Sequence, residues 1–183
     1  MLFTCFGIRV LQKTMNIFIL SLIQREIAQF MMDKHVSKIL LEAVQMLCSA
    51  KRILDPEDTE TNDRLYKIAH RNHPVTIWCR KSSANYIWTL DLIDELHKEW
   101  QFRYGHPDTK MHKSYITARL LRERIPSEIH FACKGLTPFA LAMPNEFKLP
   151  DPVESYRRYY MSEEKQRIAS WNKRREKPEW YRR

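Results

Sequence analysis

Along Asp33-Lys34-His35-Val36-Ser37-Lys38-Ile39-Leu40-Leu41-Glu42-Ala43-Val44-Gln45-Met46-Leu47 the polar positions recur at a helical spacing. Steps of three, four and three bring His35, Lys38, Glu42 and Gln45 onto one narrow stripe. Ile39, Leu40, Leu41, Ala43, Val44, Met46 and Leu47 cover nearly all the rest of the circumference, and a helix apolar almost all round is a buried one. A buried stripe of charge must be matched to partners, because an unpaired charge away from water is costly or shifts its pKa. The stripe is therefore either a satisfied internal network or the floor of a site.

The same pattern extends in both directions. Asn16 to Ser21 is a short apolar run, a buried strand or an extended lead-in. Ser21 with Gln24 three residues on has the spacing of a capping box, which predicts one helix from there to about Arg52. The acidic run 55–63 predicts an exposed loop. Pro74 suits the first turn of a helix over roughly 75–104, with Ile77, Ala84, Trp88, Leu92, Leu96 and Trp100 facing the core. On that helix Asp91, Glu95, Glu99 and Arg103 share a face predicted to be solvated, and Ser82, Asn85 and Thr89 form a smaller polar edge beside Trp78. Gly105 and Pro107 end it. A further helix is predicted over 114–124, with its basic residues outward. The apolar loop 134–144 is a lid, a pocket wall or a buried connection. Asp151-Pro152-Val153-Glu154 is a helix start with an Asp cap and Pro in the first turn, and the helix is predicted to carry Tyr156 to Tyr160 and on through Lys165, Arg167 and Trp171.

These elements predict a mainly α protein: a single compact helical domain over 15–171 with an N-terminal extended segment, a preceding extension over 1–14, and a basic aromatic tail over 172–183. Only three glycines in 183 residues agree with that class. Arg9 and Lys13 interrupt the apolar run near the start, so no membrane segment is predicted there. Cys5, Cys48, Cys79 and Cys133 are scattered, without zinc-module spacing, and suit a reducing, cytoplasmic setting.

Charge changes the picture. A net charge of +9 favours polyanionic partners. From Arg157 onward ten Lys and Arg stand against four Glu, interleaved with aromatics. Arg157, Arg158, Tyr159, Lys173, Arg174, Arg175 and Trp180 are accordingly candidates for nucleic-acid binding, DNA before RNA, the cations neutralising phosphates and the rings stacking on bases. Packing of those tyrosines against the core is the alternative.

Candidate chemistry centres on the stripe. Glu42 and His35 are acid/base candidates, with Lys38 beside them to hold a developing anion. Gln45, Arg71, Asn72, His73, Trp78 and Asn85 are substrate-binding candidates. Glycine-rich phosphate loops, HExxH, GxSxG and EF-hand spacings do not occur in the sequence, so common nucleotide hydrolases and metalloproteases are disfavoured and no cofactor is predicted. Asp33, His35, Glu42, His70 and His73 have ligand chemistry without a diagnostic spacing, and no metal site is assigned to them.

The strings DKHVSKILLEAVQMLCSA, NHPVTIWCRKSSANYIWTL, RYG, GLTPFALAMPNEFK, DPVESYRRYY and PEWY resemble a family of small proteins of phages and large DNA viruses, from Met15 to Tyr181. That family often carries a histidine shortly before DKHV where this chain has Met31. The resemblance implies a domain start at Met15 and a setting inside an infected cell, and by itself no activity. The lead-in before a long helix, HPVTIW at the central helix and the aromatic-basic ending are also similar to the phage pyrimidine-dimer DNA glycosylases. This second similarity implies an all-helical basic enzyme whose terminal amine is the nucleophile beside a helix carboxylate; the extension over 1–14 displaces that amine unless the chain begins at Met15.

The expectation is thus a nucleic-acid-directed enzyme of base-excision or strand-cleaving type. The alternatives are a non-catalytic nucleic-acid or protein-binding factor, and an enzyme acting on a small nucleotide or base with its pocket closed by 135–144.

Overall fold

Two of the predicted long helices are broken, and the breaks set the architecture. In the computed structural model, which describes residues 15–182, the first becomes α1 (Gln24–Phe30) and α2 (Asp33–Leu54), and the second becomes α4 (Pro74–Lys81) and α5 (Ser83–Tyr104). At the first break Met31 and Met32 are extended and fully buried. The amides that α2 leaves open are met by tertiary partners: Met32 N–H donates to the Tyr160 hydroxyl at 2.9 Å and Asp33 N–H to the Ser170 carbonyl at 2.8 Å. Ser21 does not cap the predicted position, for its hydroxyl donates to Glu26 at 2.6 Å and Ile23 precedes the helix.

At the second break Ser82 is extended, caps α5 by accepting from Asn85 N–H at 3.0 Å, and pairs with Cys133 in an isolated parallel bridge. The break also shifts the helical register upstream of it. Ile77, predicted to face the core, is 43% exposed, whereas Trp88, Leu92 and Leu96 are buried as expected.

The acidic run holds a single turn of helix, α3 (Thr59–Asp63), capped by Asp58. Helix α6 (Lys113–Glu123) follows the prediction, capped by His112. Helix α7 (Pro152–Tyr160) begins as its sequence predicts, with Asp151 accepting from Val153 N–H at 2.7 Å. It stops at Met161, and only the short α8 (Glu163–Gln166) follows, so Trp171 lies beyond the last helix. Helix α5 ends in a left-handed Gly105 (φ 63°), where an added Cβ would lie 2.9 Å from the Arg174 guanidinium.

Helix α2 is the hub, packed against α4, α5 and α6, with α1 laid on α5. Its apolar faces, the lead-in Ile17 to Leu20 and the fully buried Tyr86, Tyr156 and Tyr160 make one continuous core. The protein is mainly helical, with eight α-helices and no β-strand among the described residues. No helix among them is long and apolar enough to cross a membrane. The extension over 1–14, with Cys5, lies outside the described residues. Cys48 and Cys79 are buried, and burial pushes both thiols up to about 12.

Residues 172–182, predicted as a tail, run back over the helical body. Asn172 N–H donates to Asp33 at 2.8 Å, Arg175 forks onto Glu99 at 2.8 and 2.9 Å, and Tyr181 is 2% exposed.

Candidate active site

Helix α2 presents its polar stripe to two different surroundings. At its N-terminal end His35 is enclosed. Its ring stacks on Phe18 at 5.0 Å and its Nδ1 lies 2.8 Å from the Tyr160 hydroxyl. That hydroxyl also accepts from Met32 N–H, and donating its own proton to Nδ1 would complete its bonds with the imidazole neutral and protonated on Nε2. Burial, reinforced by Lys165 and Lys38, pulls His35 down to about 3. His35, an acid/base candidate of the stripe, is thus held neutral and packed against the lead-in.

Two turns along, Glu42 has different company. The lead-in passes directly over it, and the main-chain N–H of Asn16 donates to Glu42 Oε2 at 3.1 Å. The Lys38 ammonium, 44% exposed on its side chain, stands 3.6 Å from Oε1. Burial raises the Glu42 carboxyl above its ordinary range, only partly opposed by Lys38 and by the Asn16 amide. A carboxyl raised by burial in this way has the character of an acid/base candidate. Gln45, one turn further, is half-buried on the same face.

Walls are built from residues the sequence had nominated for other work. Asn85, fully buried, donates to the Trp78 carbonyl and to Thr137 Oγ1, both at 2.8 Å, and accepts from Thr137 N–H at 2.9 Å. The Trp78 indole donates to the Thr137 carbonyl at 3.3 Å, and Phe139 lies against Trp78 and Trp88. The loop then reaches the lead-in: Tyr156 donates to the Ala140 carbonyl at 2.7 Å and Asn16 Nδ2 to the Ala142 carbonyl at 2.7 Å. Asn85 and Trp78 thus position the loop 137–142, which clamps Asn16 over Glu42.

Arg71, Asn72 and His73 sit at the entrance to α4, with Arg71 and Asn72 exposed and His73 capping the helix through Nδ1. The segment before them is pinned to the stripe where it passes Gln45, as Ser49 Oγ accepts from Ala69 N–H at 3.0 Å. The set Asp33, His35, Glu42, His70 and His73 is not drawn together: Asp33 is bound by Arg103, Ser170 and Asn172, and no group of three or more His, Cys, Asp and Glu suited to a metal ion occurs among the described residues.

The C-terminal candidates are mostly engaged internally. Arg157 donates to the Leu20 carbonyl at 2.9 Å and lies 4.9 Å from the Trp180 ring. Tyr159 is buried against Phe18 and Phe147. Lys173 lies over Tyr104, Arg174 donates to the Phe102 carbonyl, and Arg175 pairs with Glu99. Arg158 alone of the seven is exposed without a described partner.

Two features escaped the sequence. Glu99 and Arg103, predicted on a solvated face, are buried in a network in which Arg103 joins Glu99 at 2.6 Å and Asp33 at 3.0 Å. The i, i+4 spacing of Glu99 and Arg103 was a visible signal; their distant partners, Asp33 for Arg103 and Arg175 for Glu99, were not. Lys165 is the other. It is buried over Phe18 and Tyr159, paired with Glu164 at 3.1 Å, and close enough to act on the charge of both His35 and Glu42.

Compared with protein-family models, with curated proteins and with solved structures, the chain finds no match in any of the three.

Proposed function

We propose that the protein is a DNA-directed enzyme of base-excision or strand-cleaving type whose working group is Glu42. The observation that carries this reading is a desolvated carboxyl placed between a main-chain nitrogen, Asn16 N, at 3.1 Å and a side-chain amine, Lys38 Nζ, at 3.6 Å. A carboxylate beside an amine is the equipment of imine chemistry. The amine adds to the aldehyde carbon of an abasic sugar and water leaves, forming the imine. The carboxylate then takes the proton from the neighbouring carbon, and the bond to the 3′ phosphate breaks with that phosphate departing. In a chain that begins at Met15, the α-amine is one residue from the nitrogen already held at Glu42, which gives the similarity to pyrimidine-dimer DNA glycosylases a geometric counterpart.

The test is borohydride trapping together with strand cleavage, using protein that begins at Met1 and at Met15 on intact, ultraviolet-damaged and abasic duplex. A trapped adduct with the Met15 form alone assigns the α-amine as nucleophile, and an adduct with both that is lost in Lys38→Met assigns the Lys38 amine. A gel shift with neither adduct nor cleavage sinks the enzymatic reading and leaves a nucleic-acid-binding factor.

A further inference from the structure

Apart from the exposed C-terminal cations Arg158, Lys177 and Arg182, a second group of cations without ion pairs lies before and on α4. Between Asp63 and Asp91 runs the longest stretch of the chain without a carboxylate, and it holds Arg64, Lys67, Arg71, Arg80, Lys81 and two histidines. None of these five Lys and Arg side chains is in an ion pair with another described residue, in contrast to Lys51, Arg103, Arg122, Lys165 and Arg175.

The stretch is also held in one place. Arg52 of α2 donates to the Tyr66 carbonyl at 2.9 Å and to the Leu65 carbonyl at 3.0 Å, and Ser49 ties down Ala69. Arg80 on α4 donates to the Arg71 carbonyl at 2.6 Å, so these two guanidinium-bearing residues stand together, beside the His70 and His73 rings. Arg71, Lys67 and Lys81 are exposed. Ser49 and Arg52 continue the stripe of Glu42 and Gln45 along α2, so the basic surface begins where the candidate active site ends.

We infer that this surface, centred on Arg71 and Arg80 at the entrance to α4, is the grip for a nucleic-acid phosphate backbone, and that the C-terminal basic segment serves the fold. Lys67, Arg71 and Lys81, exposed and in no ion pair, keep their full value for phosphates, and Arg80 anchors the main chain at Arg71, whereas Arg175 would have to release Glu99 first. The inference rests on the nucleic-acid reading above but needs no catalysis.

Binding of a labelled duplex and a labelled single strand, followed by anisotropy across a salt series, tests it on the full chain. Removing a cation that touches phosphate lowers the slope of log affinity against log salt by about 0.9 for duplex DNA. The triple variant Lys67→Ala/Arg71→Ala/Lys81→Ala should lower it by about 2 to 3, and Arg71→Gln alone by about 0.9. A matched triple in the C-terminal segment, Lys173→Ala/Lys177→Ala/Arg182→Ala, should lower it by less than about 1. Melting curves on each variant separate lost contacts from lost folding, and Arg71→Gln, which removes an exposed side chain only, keeps the answer available if a triple unfolds. An equal or larger fall with the C-terminal triple overturns the inference. So does binding to vesicles rich in phosphatidylserine with no binding to either strand form, which would make the surface a membrane contact. Tight, patch-dependent binding without cleavage supports the inference while the enzymatic reading fails. Cleavage with an unchanged salt slope in the patch triple does the reverse.

Discussion

Two carboxylate clusters lie on or against α2, and they are built on opposite plans. At its N-terminal end, Asp33 and Glu99 are saturated: Arg103 bridges them, Arg175 forks onto Glu99, and Ser170 and Asn172 complete Asp33. Farther along, Glu42 is nearly as buried at 7% exposure, yet has one main-chain amide and one half-exposed ammonium at 3.6 Å. The first arrangement fixes charge and spends it on joining the chain's ends to its middle. The second leaves a buried carboxyl with a single main-chain amide and one more distant ammonium beside it. Under the function proposed above, it is burial with incomplete pairing, and not burial alone, that nominates Glu42 over Asp33 and Glu99.

That contrast orders the expected effects of substitution. The largest belongs to Arg103. Arg103→Ala leaves Asp33 short of its main partner in a fully buried site and should cost about 3 to 5 kcal/mol, read as a melting temperature lowered by about 10 °C or more. Arg103→Lys, which lacks the fork, should recover little of it. Next is Asn85→Ala, which strips the Trp78 carbonyl and Thr137 N–H of their partner and should cost about 2 to 3 kcal/mol in denaturant unfolding. It should also release the 137–142 loop from the site, seen as faster amide exchange at Thr137.

A smaller effect depends on pH. His35 is held at about 3 and His97 at about 4 in the folded state, below the ordinary histidine value near 6.5. Between those values and 6.5 the unfolded chain binds more protons, so stability is present above 6.5 and is lost as pH falls, by up to about 1.4 kcal/mol per pH unit per group. His35→Gln, which retains an acceptor for Tyr160, should narrow the melting-temperature gap between pH 7 and pH 5. The smallest stability effect falls on Glu42. Its raised carboxyl means that the ionised form is disfavoured by folding, and stability declines as pH rises through the window above the unfolded value. Glu42→Gln keeps an oxygen for Asn16 N–H and removes that cost, so the melting temperature at pH 7 should hold or rise.

Much of this is legible in the amino-acid sequence. The helical class, the buried hub helix with its polar stripe, the Asp151 start and the Gly105 stop follow from period, caps and breakers. The two helix breaks are not: nothing local marks Met31, and at Ser82 the only local mark is a capping serine inside an otherwise continuous helical pattern; distant partners, Tyr160 and Ser170 in one case and Cys133 in the other, hold the breaks. The solvated face assigned to Glu99 and Arg103 failed for the same reason, since an i, i+4 pair has the same spacing whether water or Asp33 lies beyond it. Within the stripe, sequence could nominate His35 and Glu42 equally. Only the placement of Tyr160 over one and Asn16 over the other tells them apart.

The account stands most directly on Glu42→Gln, measured for cleavage and borohydride adduct on abasic duplex and, in the same preparation, for melting temperature. We expect activity to fall by about 100-fold or more with the melting temperature unchanged or raised. Full activity would remove Glu42 from the chemistry, and a collapse of folding would make it one more member of the structural network that Arg103 already anchors.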